Sequence, residues 1–247
     1  MFPIRDHNPS ERTPYVTYAL MAVNILVFLA YYPLLDQQSL YRFYFEWALL
    51  PENIADGRNI HTLLTSMFLH GGWMHIIGNM LFLWIFGDNL EDIMGHFGFL
   101  LFYVASGVAA GLLHVAADPS SVVPTVGASG AIAGVMGSYL LLFPKARVDI
   151  LVIIVIIFKV FPIPAWVMLG IWFALQLLNG ALLGGTDGGV AYWAHIGGFI
   201  AGFILTIPVW RRLGGRGFWQ KTDGHPDHPE AKYQYSTSRI PRVRRIK

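Results

Sequence analysis

The sequence predicts an all-α integral membrane protein, a six-transmembrane-helix bundle with a long first extracytoplasmic loop. Of its 247 residues 55% are hydrophobic and 13% charged, and the mean hydropathy is +0.50, values outside the range of soluble globular proteins. Several apolar runs approach the roughly 20 residues that a helix needs to cross a bilayer. Lys and Arg are distributed very unevenly between the segments that connect these runs.

Each predicted span is an apolar run, and the six runs cover residues 15–35, 66–87, 94–116, 126–143, 165–183 and 190–210. The connection at 36–61 is rich in Tyr, Phe and Trp, which favours a position among the lipid headgroups. We predict a tight turn at 88–92 and a glycine-rich loop at 184–189.

Residues 145–163 do not fit the pattern of a span. Their apolar core, 150–158, is too short to cross as a helix. As a lone strand it would leave its backbone groups without hydrogen bonds in lipid. We therefore predict a membrane-associated loop here.

The two termini are predicted to share one side of the membrane, because the number of spans is even. We divide the chain into a polar leader (1–14), a membrane domain (15–210) and a basic, mobile tail (211–247). Fifteen of the 17 Lys and Arg residues fall on the side of the termini, and Arg42 and Arg58 are the other two. The positive-inside rule then places both termini in the cytoplasm.

The composition and the motifs argue against several classes of function. The chain has no cysteine, which excludes a thiol nucleophile and a cysteine-based metal site. It has no His-Glu-x-x-His metalloprotease motif, and neither internal repeats nor mid-span charges favour a transporter. His225 and His228 lie among prolines in the tail, which is typical of a solvated linker rather than a metal site. We expect no metal, cofactor or nucleic-acid partner.

A serine and a histidine lie at the same end of two predicted spans. Ser129 lies between Gly127 and Gly130, and His195 follows Ala194 about 65 residues later. The glycines and the serine are small, and such residues can simply let helices pack closely. With six spans, however, both residues lie very roughly 5–10 Å below the outer surface at ~1.5 Å of rise per residue. A histidine next to a serine can take its proton and make it a nucleophile, so the pair predicts catalysis.

His75 and Asn79 add polar groups near the same outer end. Their i, i+4 spacing places them on one face of the second span. They could be interhelical hydrogen-bond donors, but ionisable groups inside spans are functional candidates by default. With the backbone N–H of Ser129 they could donate to the oxyanion of an acyl-transfer intermediate. No Asp or Glu lies at this depth, so we expect a Ser–His dyad without a carboxylate.

In this order the motifs resemble those of the rhomboid family of intramembrane serine proteases. The resemblance covers about residues 60–205 and rests on His75-xxx-Asn79, Gly87-xxx-Glu91-xxx-Gly95, Gly127-x-Ser129-Gly130 and Ala194-His195-x-Gly197-Gly198-xxx-Gly202. It implies Ser129 as nucleophile and His195 as general base. It also implies an oxyanion hole of His75, Asn79 and the Ser129 N–H. Structural roles would fall to Glu91, Gly127, Gly130, Gly198 and Gly202.

The resemblance further implies cleavage of transmembrane segments of other proteins near the outer membrane surface, without a cofactor or metal. We expect a bacterial inner-membrane protein. The alternative is a catalytically silent relative that binds membrane proteins, but such relatives typically lack the serine or the histidine, and this chain has both.

Two positions depart from the family pattern. His61-Thr62 stand where well-studied bacterial members have Trp-Arg. Ala133 stands where some members have an aromatic residue that packs on the histidine ring. A methyl group cannot stack, so the sequence does not show what holds the ring of His195.

Overall fold

The structure is a computed structural model that describes residues 2–154, 157–183, 190–227 and 229–233. Its α-helices are α1 (Tyr15–Tyr31), α2 (Gln37–Trp47), α3 (Pro51–Ala55), α4 (Thr62–Thr65), α5 (Trp73–Met94), α6 (His96–Ala117), α7 (Ser129–Leu142), α8 (Ala165–Leu183), α9 (Tyr192–Arg212) and α10 (Arg216–Thr222). Its strands are β1 (Phe2–Asp6), β2 (Arg147–Ile154) and β3 (Ile157–Pro164). The glycine-rich loop predicted at 184–189, His228 and the tail beyond 233 lie outside the described residues.

The fold is mostly helical, as the sequence predicts. Within the described residues, three helices are long and apolar enough to cross a membrane: α6, α8 over Ala165–Leu182, and α9. The apolar helices α1 and α7 are shorter, and the 22-residue α5 carries several acidic residues near its end. The count of six spans therefore stays a prediction.

Helix α7 forms the centre of the bundle. Nearly all of its 14 residues are buried, and many of them are Gly, Ala or Ser, which let neighbouring helices approach. A Cβ on Gly198 of α9 would collide with the carbonyl oxygen of Gly130, and one on Gly202 would collide with the backbone of Gly134. The backbones of α7 and α9 therefore pack directly against each other, which brings their N-terminal ends together.

The second predicted span has different limits in the structure. Helix α5 begins at Trp73 and continues to Met94, so the predicted tight turn at 88–92 is wrong. The helix continues because its polar side chains find partners on α1. Glu91 accepts hydrogen bonds from the backbone N–H groups of Val16 and Thr17, at 2.8 and 2.7 Å. The chain turns only at Gly95, whose φ of +72° suits glycine.

The predicted membrane-associated loop at 145–163 is also wrong, because it forms a β-hairpin. Strands β2 and β3 pair antiparallel, and β1 from the N-terminal leader pairs with the other edge of β2. The prediction considered a lone strand, whereas the leader and β3 give β2 a partner on each side. The ladder thus satisfies the backbone groups that a lone strand would leave free.

The first part of the predicted mobile tail packs against the rest of the protein. Phe218 of α10 is buried in the main hydrophobic core, and the indole N–H of Trp219 donates to the carbonyl oxygen of Leu141 at 3.0 Å. Farther along, the N–H of Ala231 donates to the carbonyl oxygen of His7 at 2.9 Å. The described part of the tail therefore has packing contacts with the rest of the protein, and its mobility stays a prediction. The domain limits 1–14, 15–210 and 211–247 stay predictions.

Candidate active site

Ser129 is the first residue of α7, and a glycine with a positive φ lies two residues before it. Gly127 has a φ of +132°, which favours glycine, and its N–H donates to the carbonyl oxygen of Ser66 at 2.9 Å. A Cβ at Gly127 would lie 2.9 Å from Nε2 of His75. Both the backbone conformation and the available space therefore require glycine at position 127.

The structure brings Ser129 and His195 together. His195 lies in the first turn of α9, and its Nε2 is 2.8 Å from Oγ of Ser129. Its other ring nitrogen, Nδ1, is 2.8 Å from Oε1 of Gln176 on α8. Because an amide oxygen can only accept, Nδ1 carries the proton in this arrangement and Nε2 accepts from the serine hydroxyl.

Helix α8 also supplies the aromatic contact that the sequence leaves open. Ala133 is fully buried on α7 and offers no ring. Trp172 of α8 lies with its ring centroid 5.7 Å from that of His195, at an interplanar angle of 35°. Trp172 and Gln176 are four residues apart, so they lie on one face of α8 and both contact the histidine.

Sequence reasoning missed both α8 residues. A signal for Gln176 was available, since it is the one strongly polar side chain in the apolar run 166–178. A lone polar group inside a span usually has a partner on another helix. No comparable signal marked Trp172, because tryptophan is common in such runs at membrane interfaces.

His75 and Asn79 lie in the first two turns of α5, on the wall of the same cavity as Ser129. Nδ1 of His75 accepts the N–H of Gly71 at 3.3 Å, so in the neutral ring the proton is on Nε2. The Nδ2 group of Asn79 donates to the carbonyl oxygen of His75 at 3.0 Å and keeps a second hydrogen. Each side chain therefore retains one N–H that it can donate to a ligand.

Tyrosines from α1 and α2 fix the segment that leads into α5. The carbonyl oxygen of His70 accepts from the hydroxyls of Tyr31 and Tyr44, at 2.7 and 3.0 Å. The N–H of His70 donates back to the Tyr31 oxygen at 2.6 Å. The aromatic connection between the first two predicted spans thus helps to set the position of His75.

The two residues that depart from the family pattern before α5 have local structural contacts. The ring of His61 packs edge-on against Trp47, with centroids 5.7 Å apart. The hydroxyl of Thr62 donates to the carbonyl oxygen of Asn59 at 2.8 Å, at the start of α4. The structure gives these positions a role in the turn that begins α4.

The cavity has a volume of about 890 Å³, within the size range of small-molecule and peptide sites. Ser129, His195, His75 and Asn79 all line it. So does His114 of α6, whose Nε2 is 3.0 Å from the hydroxyl oxygen of Thr125. The cavity therefore has room for a ligand beside the serine.

The other predicted residues lie at contacts between elements. Gly130 lines the cavity and faces Gly198, while Gly202 lies deeper along the same interface. Glu91 lies at the opposite end of α5 from His75 and connects α5 to α1. In the tail, Nδ1 of His225 is 3.0 Å from a carboxylate oxygen of Glu230. No group of three or more His, Asp or Glu residues is placed to hold a metal ion in the described part of the chain.

Comparison with known proteins gives a family match over residues 57–212, to the Rhomboid domain. Rhomboid protein 1, mitochondrial, of Saccharomyces cerevisiae is 32% identical over 195 residues, which cover 76% of this chain and 51% of that protein. Rhomboid protease GluP of Bacillus subtilis is 32% identical over 155 residues, or 60% of this chain and 25% of that protein. Rhomboid-like protease 5 of Toxoplasma gondii is 32% identical over 152 residues, or 60% of this chain and 16% of that protein. The aligned regions thus span between 16% and 51% of the length of these relatives.

Proposed function

Since this chain belongs to the rhomboid family, we propose that it is an intramembrane serine endopeptidase that cleaves transmembrane segments of other membrane proteins. Members of this family are generally intramembrane serine proteases, and several relatives are named proteases. The observation that carries the proposal is the 2.8 Å hydrogen bond between Oγ of Ser129 and Nε2 of His195 on the cavity wall.

In the first step the serine oxygen attacks the carbonyl carbon of the scissile peptide bond. Nε2 of His195 takes the hydroxyl proton and then gives it to the leaving amine, which yields an acyl-enzyme. A water molecule, deprotonated by the same nitrogen, then attacks the ester and releases the second product. A single ring nitrogen 2.8 Å from the nucleophile can serve both half-reactions.

The negative oxygen of each tetrahedral intermediate needs donors. Ser129 is the first residue of α7, where backbone N–H groups have no acceptor within the helix and the helix dipole favours negative charge. We assign His75 Nε2–H and the free Asn79 N–H as additional donors. Both are held by their own hydrogen bonds on the cavity wall, so they do not need to reorganise during the reaction.

The length of α7 supports a site below the membrane surface. Its 14 residues extend about 21 Å at ~1.5 Å per residue, whereas the hydrocarbon core is about 30 Å thick. A helix of this length that reaches one face leaves its other end submerged. Six spans, with 15 of the 17 Lys and Arg on the side of the termini, would place Ser129 near the outer surface and both termini in the cytoplasm. We propose the cytoplasmic membrane of a bacterium as the location.

Thiol labelling tests this orientation cleanly, because the wild-type chain has no cysteine. A cysteine at the exposed Ser120 should react with an impermeant thiol reagent added outside intact cells, and one at the exposed Lys221 should not. Labelling of both positions from the outside would contradict the arrangement.

The activity is tested with purified protein in detergent and a generic single-span substrate. Wild type should cleave the substrate and react covalently with a small fluorophosphonate, whereas Ser129→Ala should do neither. A wild-type protein that binds the substrate as tightly as Ser129→Ala and leaves it intact would instead be a silent binder.

A further inference from the structure

We infer that Gln176 is a positioning residue, which holds His195 in the tautomer and orientation that the reaction needs. This inference rests on the proposed proteolytic function. The predicted Ser–His dyad would then work as a chain of three groups, Ser129, His195 and Gln176, joined by two hydrogen bonds of 2.8 Å each.

Gln176 is not among the residues that line the cavity. Its side chain is buried, with 8% of the residue exposed, and it lies behind the histidine ring rather than on the cavity wall. Ser129 and His195 both line the cavity. Any effect of Gln176 on the reaction must therefore pass through the imidazole of His195.

The direction of the hydrogen bond decides where the imidazole proton is. With Oε1 of Gln176 as acceptor, Nδ1 of His195 carries the proton and Nε2 can accept from Ser129. If the amide were turned so that its NH₂ group faced Nδ1, the proton would have to be on Nε2. Nε2 would then donate to the serine oxygen and could not take its proton, so only the first arrangement supports the reaction.

An amide suits this position better than a carboxylate would. When His195 takes the serine proton it becomes an imidazolium, which still donates Nδ1–H, so the bond to Gln176 persists through the step. The amide dipole, with its oxygen toward the ring, favours this positive charge. A carboxylate would do so more strongly, but an ionised carboxylate buried inside a membrane bundle carries a large desolvation cost.

Trp172 completes the support of the ring from the same face of α8. The indole and the imidazole lie with their centroids 5.7 Å apart at 35°, while Oε1 of Gln176 faces Nδ1, so the ring has two neighbours on α8. Ala133 on α7 is fully buried and supplies no ring. In this chain the residues that orient the ring of His195 therefore come from α8 and not from α7.

Three variants test the inference through activity. Gln176→Leu keeps a similar volume and removes the acceptor, and it should lower kcat roughly 10- to 100-fold with little change in KM. Gln176→Glu keeps an acceptor oxygen whether ionised or neutral, and its kcat should stay within about tenfold of wild type. Asn179→Leu removes a half-buried amide three residues along α8 that does not line the cavity, and it should stay within about twofold of wild type.

The thermal midpoint of each variant shows whether the fold is intact. Wild-type kcat in Gln176→Leu would overturn the inference, and so would equal losses in Gln176→Leu and Gln176→Glu. A purely structural role would lower the thermal midpoint of Gln176→Leu and leave the kcat of the folded fraction unchanged, which would also contradict it.

A second measurement does not depend on proteolysis. In protein labelled with ¹⁵N-histidine, the ring nitrogens report which of them is protonated, and a His195→Ala sample identifies the signal among the nine histidines. Wild type should show His195 protonated on Nδ1, and Gln176→Leu should shift the ring toward protonation on Nε2. A wild-type ring protonated on Nε2 would overturn the inference even in an active enzyme. The expected tautomer in a protein that cuts nothing would instead reject the protease function alone.

Discussion

The two ends of the central helix α7 hold buried polar groups of different kinds. At the N-terminal end Ser129, His195 and Gln176 form a hydrogen-bonded chain, without a carboxylate, beside a cavity of about 890 Å³. At the C-terminal end Tyr139 donates a hydrogen bond of 2.8 Å to the carboxyl group of Asp6 in β1. Both ends are polar, but the cavity at the N-terminal end is much the larger of the two.

The C-terminal end is closed by charged partners from distant parts of the chain. Asp149 of β2 is bonded to Arg5 at 2.7 Å and to His7 at 2.9 Å, so the leader is tied to the hairpin. The ring of Tyr233 in turn packs under the guanidinium of Arg5, 3.7 Å from ring centroid to Cζ. The cavity beside these groups is only about 130 Å³.

Under the proposed function, one helix serves chemistry at its N-terminal end and stability at its C-terminal end. Buried charges are tolerated where partners satisfy them, and such pairs leave little space. A site for a peptide needs space, and neutral groups can stay there because their desolvation cost is smaller. We therefore expect substitutions at the N-terminal end to affect activity and substitutions at the C-terminal end to affect stability.

The largest expected effect is at the dyad itself. Ser129→Ala and His195→Ala should each lower kcat at least about 10⁴-fold, because the two groups act as one unit. Both proteins should keep a thermal midpoint close to that of wild type. Cleavage assays with purified protein, together with circular dichroism melts, check both parts. Clear activity in a folded Ser129→Ala variant would reject the mechanism.

The next effect is at the proposed oxyanion donors. Asn79→Ala should lose roughly 100- to 1,000-fold in kcat, because the donor acts mainly in the transition state. Its stability should change little, since interhelical hydrogen bonds in membranes contribute only about 0.6 kcal/mol on average. Steady-state kinetics and the rate of fluorophosphonate labelling measure the loss. His75→Ala should behave in the same way, with a smaller loss.

If Asn79→Ala largely unfolds the protein while the molecules that remain folded cleave at the wild-type rate, Asn79 is a packing residue. The comparison between the two ends of α7 would then fail at its N-terminal end.

At the other end of α7, Asp149→Ala should reduce stability and leave the chemistry unchanged. The change leaves Arg5 and His7 without this carboxylate, and we expect a loss of about 1–3 kcal/mol in the free energy of unfolding. Denaturation in a mild detergent measures it. The kcat of the folded protein should stay within about twofold of wild type, and a tenfold fall would show that the two ends are coupled.

The smallest effect is a pH dependence that arises at Asp6. Burial, with a further contribution from the negative charge of Asp88, raises the pKa of Asp6 well above its usual value of 3.8. At a pH between 3.8 and the raised pKa of the folded state, the folded protein binds more protons than the unfolded protein. Its stability should therefore fall as the pH rises through this window. Asp6→Asn should flatten this fall and still accept the hydrogen bond from Tyr139. Thermal midpoints of both proteins across this pH range provide the test. A wild-type stability that rises with pH there would contradict the assignment.

Much of the fold and the candidate site could be predicted from local patterns. Hydropathy indicated the helices, and the motif around Ser129 and the one around His195 indicated a reacting pair. The end of α5 was mispredicted because the partners of Glu91 are on α1, about 75 residues away in sequence. Strand β1 was missed for the same reason, since the five residues 2–6 form a strand only beside β2.

The sequence by itself determined that the chain is apolar, helical and a member of its family, because hydropathy and motif spacing are local properties. Only the tertiary structure decided what holds the ring of His195. Gln176 and Trp172 lie on a different helix. The lone polar side chain of Gln176 indicates that it has a partner, but nothing local shows that this partner is His195. The direct packing of α7 on α9, which Gly130 and Gly198 permit, brings the serine to the histidine. The packing of α8 then sets the orientation of the histidine ring. It also sets the tautomer of His195, which depends on which atom of Gln176 faces Nδ1.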